Sequence, residues 1–427
     1  MTALPLKEIA APDRGICARR FAEIRQATET LAAGLLPEDQ AIQSMPDVSP
    51  TKWHLAHTTW FFETFLLIPH LNGYAAFHPA FAYLFNSYYE AVGARHPRPR
   101  RGLLSRPGTA EIAAYRRFIS DAMRNLIEDS DDAKWDEIAP LIELGLNHEQ
   151  QHQELILMDI KHVFSLNPLR PAYRPRAALS PSQPSPVGWI DFEGGLVEIG
   201  HDGRGFAFDN EGPRHRVWLE PFRLASRLAT CGEFLEFIED GGYRKPELWL
   251  SDGWAMANSE AWEAPLYWER RSGGEWSLFT LSGLQPFNAA EPVCHVSFYE
   301  ADAFARWCGK RLATESEWEH AASNVALAGN FIHRGALHPI PARGDGSLEQ
   351  MFGDSWEWTM SAYLPYPRFR PAAGAVGEYN GKFMSGQMVL RGGAAVTPPD
   401  HIRVTYRNFF PPSARWAFGG LRLAEYR

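Results

Sequence analysis

An abrupt change of composition between residues 166 and 187 divides this chain into two unlike parts. The stretch contains the run NPLRPAYRPRAALSPSQPSP, which is rich in proline and serine and poor in bulky apolar residues. Such a composition favours an extended linker and contributes little to a hydrophobic core. We therefore predict a first domain at residues 1–165, a linker at 166–187 and a second domain at 188–427.

The first part of the chain has the apolar periodicity of helices. Apolar residues recur every three or four positions in the segments 18–36, 49–67, 109–127 and 136–163, which is the spacing of one helical face. The segment 49–67 opens with Ser49 and Pro50, typical of an N-cap followed by proline at the first helical position. Four such helices predict a four-helix bundle, a fold that builds metal and ligand sites from inward-facing side chains. The predicted core residues of the first and third segments are Phe21, Ile24, Leu31, Leu35, Ile112, Tyr115, Phe118, Ile119, Met123 and Leu126.

The second part of the chain is rich in glycine and tryptophan and consists of short segments. Those that are typical of strands or turns are GWIDFEGGLVEIG, HRVWLEPFRLA, PVCHVSF and MVLRGG. One helix is predicted, from Tyr299 to Ala322. The fold class expected for the whole chain is α plus α+β, a helical bundle followed by an irregular domain with many loops.

Composition limits the partners of the chain. It has 427 residues, 45% of them hydrophobic, and a formal net charge of -9, so it can bury large cores and offers no basic surface for nucleic acid. Charge and proline interrupt the apolar stretches near the N-terminus, and proline and asparagine interrupt the weakly charged stretch 64–89. We therefore expect a cytoplasmic protein that does not enter a membrane. The sequence leaves the oligomeric state open.

Histidine is the residue type that this chain offers for metal binding, because its four cysteines are scattered without CxxC spacing. His148 and His152 are four residues apart on the predicted fourth helix and project from one face, while His57 lies on the apolar face of the second. Three imidazoles from two helices can bind a metal ion and leave positions open for reactants. Imidazole suits Fe, Zn, Cu or Ni. His54 lies about 60° off the apolar face and is assigned a place outside the ligand set. The alternative is that these are separate core or surface histidines.

Longer motifs resemble a known family. The segments SPTKWHLAHTTWFFETFLL, NSYYEAVGARHPRPRRGLLSRP and NHEQQHQELILMDIKH resemble those of the sulfoxide synthases of ergothioneine biosynthesis. The first half resembles their DinB-type four-helix bundle. The second half resembles the formylglycine-generating-enzyme fold, a C-type-lectin-like domain, through EGPRHRV, KRLATESEWEHAA, FGDSWEW, LRGG and GGLRLA. In FGDSWEW, Asp354 stands where that fold usually has asparagine, and we expect it to satisfy the same turn.

The resemblance implies a non-haem Fe(II) enzyme whose ligands are His57, His148 and His152. Members of the family use O2 to join the thiol of cysteine or γ-glutamylcysteine to imidazole C2 of hercynine, which is Nα-trimethylhistidine. The tandem tyrosines Tyr88 and Tyr89 match those of the cysteine-using branch, where a phenol can supply a proton to the reaction.

Substrate contacts are also implied by the resemblance. Gln151 matches the glutamine that hydrogen-bonds the hercynine imidazole, and Asn408 with Phe409 matches the pair that contacts hercynine. Phe410 stands where users of γ-glutamylcysteine carry an acidic residue, which favours free cysteine. The cysteine carboxylate then needs a cation, for which Arg98 and Arg101 are the candidates because guanidinium binds carboxylate bidentately.

Several alternatives remain open on the sequence. The thiol substrate can be γ-glutamylcysteine, or the chain can resemble the relative that transfers selenium to hercynine and forms selenoneine. A DinB-type thiol transferase would use the same histidines with zinc, and a lectin-like binding module would need no metal. Formylglycine generation itself is excluded, because that activity needs a late cysteine pair and no cysteine follows Cys308.

Overall fold

The computed structural model describes residues 13–175, 182–372 and 375–427. Most of the N-terminal stretch behind the cytoplasmic prediction, and part of the predicted linker, therefore lie outside the described residues. The chain divides into two compact units, of which the first extends to Leu166 and also includes Gly203–Phe208 and Pro371–Tyr379. The second consists of Asn167–Asp202, Asp209–Arg370 and Asn380–Arg427. Two later segments thus belong to the helical unit, although a division into consecutive domains assigns them to the second domain.

The first unit is built on long helices that pack side by side. Its helices are α1 (Arg14–Ala32), α2 (Thr51–Phe62), α3 (Ile68–His70), α4 (Phe81–Phe85), α5 (Thr109–Asp129) and α6 (Asp132–Leu166). Each of the predicted helical segments is helical, with different bounds. Helix α1 packs against α6, and α2 packs against both α5 and α6.

Local capping explains the start of the first helix. Helix α1 begins at Arg14 because the Asp13 side chain accepts the N–H of Ile16, as an N-cap does. The N-cap of α2 is Pro50 rather than Ser49, so the predicted cap is wrong by one residue. The predicted core positions are buried except Phe118, which is 42% exposed and lies at the rim, where its ring contacts Tyr74 and Phe77.

Helix α2 is buried on every side, as expected of a helix surrounded by others. A π-helical turn at Glu63–Leu67 joins it to α3. In this turn the buried Glu63 carboxylate accepts hydrogen bonds from the phenols of Tyr74 and Tyr115. Such turns often occur near functional sites. Among the described residues, no helix combines the length and the apolar character needed to cross a bilayer.

The second unit consists of small sheets and short helices. The strands are β1 (Trp189–Phe192), β2 (Gly195–Ile199), β3 (His215–Leu219), β4 (Phe222–Ala225), β5 (Trp268–Arg270), β6 (Trp276–Thr280), β7 (Gly283–Pro286), β8 (Arg311–Leu312), β9 (Trp356–Ala362), β10 (Met388–Arg391), β11 (Asn408–Phe410), β12 (Gly419–Gly420) and β13 (Leu423–Tyr426). Among the described residues, these strands form sheets with the orders β1-β4-β13-β8, β11-β10-β9-β12, β2-β3 and β5-β6-β7. The helices are α7 (Cys231–Glu239), α8 (Ser251–Ser259), α9 (Phe298–Trp307) and α10 (Glu315–Ala322).

The single helix predicted at residues 299–322 is wrong, because α9 and α10 are separate. Gly309 adopts φ +67° after α9, and strand β8 then precedes α10. Each helix has its own capping box, at Ser297 and at Thr314, so each starts independently. The segment PVCHVSF is irregular apart from a bridge at Pro292 and its last residue, Phe298, which begins α9. The predicted class, α plus α+β, is confirmed.

Candidate metal centre

Three buried histidines meet where α2 packs against α6. His57 comes from α2, and His148 and His152 come from successive turns of α6. One nitrogen from each ring lies within 4.8 Å of the others. The ring centroids are 4.9 Å apart for His57 and His148, 4.8 Å for His57 and His152, and 4.7 Å for His148 and His152. The packing of the two helices thus brings together the residues that sequence spacing singled out.

The hydrogen bonds of these rings leave nitrogens available for a metal. His57 Nδ1 lies 2.6 Å from the carbonyl oxygen of Phe85, and since a carbonyl only accepts, Nδ1 carries the proton and Nε2 a lone pair. Among the described residues, His57 Nε2 and both ring nitrogens of His148 have no hydrogen-bond partner, and all three atoms are buried. Buried polar atoms are rarely left unsatisfied. A metal ion bound by three imidazoles would satisfy His57 Nε2 and one ring nitrogen of His148, so the donor set fits a metal such as Fe or Zn.

Burial also keeps the imidazoles neutral, as metal ligands must be. Removal from water lowers the pKa of His148 to about 3. The pKa values of His57 and His152 are lowered well below the ordinary range, chiefly by burial and then by the neighbouring histidines. At neutral pH each ring therefore keeps a lone pair.

Aromatic rings fix the orientation of His57. The indole of Trp53 stacks on it, with centroids 4.6 Å apart and planes 14° apart. The indole of Trp60 is also nearly parallel to it, at 5.5 Å and 15°. Both tryptophans lie on the same helix as His57, at helical spacing. This stack restrains rotation of the imidazole.

This chain is similar to known proteins over most of its length. The family described as "DinB superfamily" matches residues 20–156. The family described as "Sulfatase-modifying factor enzyme 1-like domain" matches residues 176–343 and 342–427. A hercynine oxygenase of Mycolicibacterium thermoresistibile is 31% identical over 97% of this chain and 96% of its own length. The chain belongs to the hercynine oxygenase family. A second hercynine oxygenase, from Mycobacterium tuberculosis, is 32% identical over 89% of this chain and 91% of its own. Ergothioneine biosynthesis protein 1 of Schizosaccharomyces pombe is 28% identical over 52% of this chain and 28% of its own.

In this member of the hercynine oxygenase family, tyrosines lie close to the histidine cluster. Tyr88 and Tyr89 pack on each other with centroids 4.8 Å apart, and Tyr89 packs against Trp60 at 5.7 Å. Burial, reinforced for Tyr88 by the phenols of Tyr89 and Tyr379, raises the pKa of Tyr88 well above its ordinary range. Burial raises the pKa of Tyr89 as well. Both phenols therefore keep their protons at neutral pH.

A third tyrosine, which the sequence analysis missed, contacts the cluster directly. The ring of Tyr379 meets the imidazole of His148 edge-to-face, with centroids 5.7 Å apart, and lies 5.8 Å from the ring of Tyr88. The carboxylate of the preceding Glu378 accepts the backbone N–H groups of Glu90 and Ala91, both at 2.9 Å. Its segment is thereby tied to the loop that follows Tyr89. A lone Glu-Tyr pair in a glycine-rich stretch carries no local signal of this contact.

The two candidate arginines occupy different environments. Arg98 is exposed and donates to the carbonyl oxygen of Asp47. Arg101 is 2% exposed, and its guanidinium donates to the hydroxyls of Ser49 at 2.9 Å and Ser87 at 3.2 Å. Its Nε is buried and has no hydrogen-bond partner among the residues that the structure describes. Burial lowers the pKa of Arg101 well below its ordinary range, as does the charge of Arg98.

The remaining predicted contacts fall in both units. Gln151 is half-buried on α6 between the two histidines. Asn408, Phe409 and Phe410 form β11 of the second unit. There Phe409 stacks on Tyr363 with centroids 4.1 Å apart and planes 9° apart, while Phe410 meets Trp416 edge-to-face at 5.7 Å. The roles of all four residues stay predictions.

Proposed function

We propose that this member of the hercynine oxygenase family binds Fe(II) through His57, His148 and His152 and joins cysteine to hercynine with O2. The observation that supports it is the cluster of three buried imidazoles, in which one nitrogen of each ring lies within 4.8 Å of the others. Nitrogens of His57 and His148 have no hydrogen-bond partner within the described ranges. The thiol and imidazole C2 lose one hydrogen each, a C–S bond forms, and O2 supplies the sulfoxide oxygen and the oxygen of one water. The product is hercynylcysteine sulfoxide. Bound Fe(II) would supply O2 activation and a site for the thiolate.

The chain's own residues would orient the substrates and manage protons. Three ligands leave coordination positions free. Tyr88 and Tyr89 are candidate proton donors because burial raises their pKa values and they keep their phenolic protons. Tyr379 is a third candidate because its ring lies against His148. Gln151, between the two α6 ligands in sequence, would hydrogen-bond the hercynine imidazole without adding charge.

We assign Arg101 to the cysteine carboxylate. Its guanidinium is buried and donates to two serine hydroxyls through its Nη atoms, and its Nε has no partner in the part of the chain that the structure describes. A carboxylate is the partner that best compensates such a cation. The exposed Arg98 remains the alternative.

Asn408 and Phe409 would contact hercynine. A trimethylammonium group cannot donate a hydrogen bond, so aromatic faces and amide oxygens are its suitable partners. The stack of Phe409 on Tyr363 offers such an aromatic face. Phe410 offers no charge to a γ-glutamyl amine, which supports free cysteine as the thiol.

The test is to load the full chain with Fe(II) under anaerobic conditions, add hercynine with cysteine or γ-glutamylcysteine, admit O2 and identify products by mass spectrometry. We expect hercynylcysteine sulfoxide, formed mainly from free cysteine and accompanied by O2 uptake. The same protein loaded with Zn(II) is the control and should form none. Coupling mainly with γ-glutamylcysteine would overturn the thiol assignment only. Thiol transfer with Zn(II) and without O2 would instead indicate a DinB-type thiol transferase. Selenium transfer to hercynine would instead indicate a selenoneine-forming enzyme.

A further inference from the structure

A chain of buried hydrogen bonds leads from His152 to a carboxylate on the same helix. His152 Nδ1 lies 2.8 Å from Nδ1 of His54. Nε2 of His54 lies 2.9 Å from Oδ2 of Asp159, which also accepts the backbone N–H of Ser49 at 2.7 Å. His54, His152 and Asp159 are all buried.

The donors and acceptors in this series of hydrogen bonds can be assigned by starting from the carboxylate of Asp159. A carboxylate only accepts, so His54 Nε2 carries a proton and donates it to Asp159. With one proton per ring, His54 Nδ1 then has a lone pair and must accept from His152. His152 Nδ1 therefore carries the proton, and its Nε2 keeps the lone pair.

We infer that His54 and Asp159 are positioning residues that hold His152 in the tautomer whose Nε2 lone pair is available to the metal. The inference rests on the proposed metal site and adds residues to it. His57 reaches the same tautomer through the Phe85 carbonyl, whereas His152 depends on two side chains. Residues that hydrogen-bond metal ligands fix the orientation and tautomer of those ligands and strengthen metal binding.

The alternative is that His54 only fills space and that its hydrogen bonds are incidental. The two roles predict different effects when His54 is replaced by phenylalanine or by glutamine. Phenylalanine preserves the ring volume but removes the acceptor for His152 Nδ1–H. Glutamine restores an acceptor through its side-chain oxygen. A space-filling role predicts that phenylalanine performs at least as well as glutamine, and a positioning role predicts the reverse.

The first experiment measures the Fe(II) dissociation constant of the full chain by anaerobic competition with a chelator. We expect His54→Phe to weaken Fe(II) binding by about 10- to 100-fold and His54→Gln to recover most of that loss. His162→Phe is the matched control, because His162 is on α6 with its Nδ1 2.7 Å from Ser44 Oγ, and should bind Fe(II) like the wild type. Equal affinity in His54→Phe and the wild type would overturn the inference, and absence of Fe(II) binding in the wild type would instead overturn the proposed metal site.

The second experiment needs no variant. Nitrogen NMR of the metal-free, histidine-labelled wild type distinguishes the two tautomers of each ring. We expect protonated Nδ1 on His152 and protonated Nε2 on His54. The opposite tautomer on His152 would overturn the inference even if the His54 variants failed to fold.

Discussion

The guanidinium of Arg101 lies directly over the indole of Trp53, with its Cζ 3.4 Å from the ring centroid. The same indole stacks on His57 at 4.6 Å, so a buried cation is separated from a candidate metal ligand by one aromatic ring. In the described part of the chain, this guanidinium donates to serine hydroxyls and forms no ion pair. A cation held in this way is prepared to bind an anionic substrate group.

Replacing Arg101 should therefore impair thiol binding more than iron binding. We expect Arg101→Gln to raise the KM for cysteine by about 10- to 100-fold, the value of a charged hydrogen bond, while the KM for hercynine changes little. Steady-state kinetics with each substrate varied in turn measures this. Arg100→Gln, at an exposed position, is the matched control. An unchanged KM for cysteine would assign its carboxylate to another cation.

His148 is the most informative ligand to remove. Both its ring nitrogens lack a hydrogen-bond partner among residues 13–175, 182–372 and 375–427. His148→Ala therefore breaks no side-chain hydrogen bond within those ranges, whereas replacing His57 also frees the Phe85 carbonyl. We expect His148→Ala to retain less than about a tenth of the bound iron, because two ligands hold the metal poorly. Metal analysis after desalting measures this, and circular dichroism checks the fold. Full iron occupancy in a folded variant would contradict the ligand assignment.

The tyrosines should separate iron binding from chemistry. Tyr88→Phe, Tyr89→Phe and Tyr379→Phe each remove a phenolic proton and keep the ring, so iron content and both KM values should stay near those of the wild type. We expect removal of the true donor to lower kcat for sulfoxide by about 100-fold or more, the range of general acid catalysis.

Comparing the three variants identifies the donor. Tyr379 is in ring contact with His148, whereas Tyr89 reaches the cluster through Trp60. Tyr74→Phe is a control at a phenol that bonds Glu63 instead. Sulfoxide formation at the wild-type rate in all three variants would exclude the tyrosines from proton transfer.

Asp354 makes the stability of the second unit depend on pH. Its Oδ1 accepts from the Asn330 amide at 2.8 Å and from the Ile340 N–H at 2.9 Å, and its φ of +56° suits aspartate or asparagine. Burial raises the pKa of this carboxyl from 3.8 to about 6. Between about pH 4 and 6 the folded state then binds more protons than the unfolded state, so this group lowers stability as pH rises.

Asp354→Asn should remove that loss, because an amide oxygen accepts the same two hydrogen bonds without a charge. We expect an increase of about 2 to 3 kcal/mol in the free energy of unfolding at pH 7, and no increase below about pH 4. Denaturant unfolding at both pH values measures the difference. Asp345→Asn, at an exposed loop position, is the control. A gain of equal size at pH 4 would contradict the electrostatic explanation.

Helical periodicity explains why the ligand candidates could be found from sequence. His148 and His152 share a helix face because they are four residues apart, and His57 lies on an apolar face that local spacing reveals. Helical periodicity gave a wrong prediction where a single residue ends a helix. Gly309, with its positive φ, ends α9, although the apolar pattern continues into α10.

The helical period of the first part, the His148–His152 pair and the family could all be read from the sequence, because these depend on residues near one another or on long ordered motifs. Other features became visible only in the folded chain: His54 bonds His152 and Asp159, Arg101 is buried against Trp53, and Tyr379 contacts His148. These contacts join residues from separate elements. They depend on which elements pack together, and helical spacing within one segment carries no information about that packing.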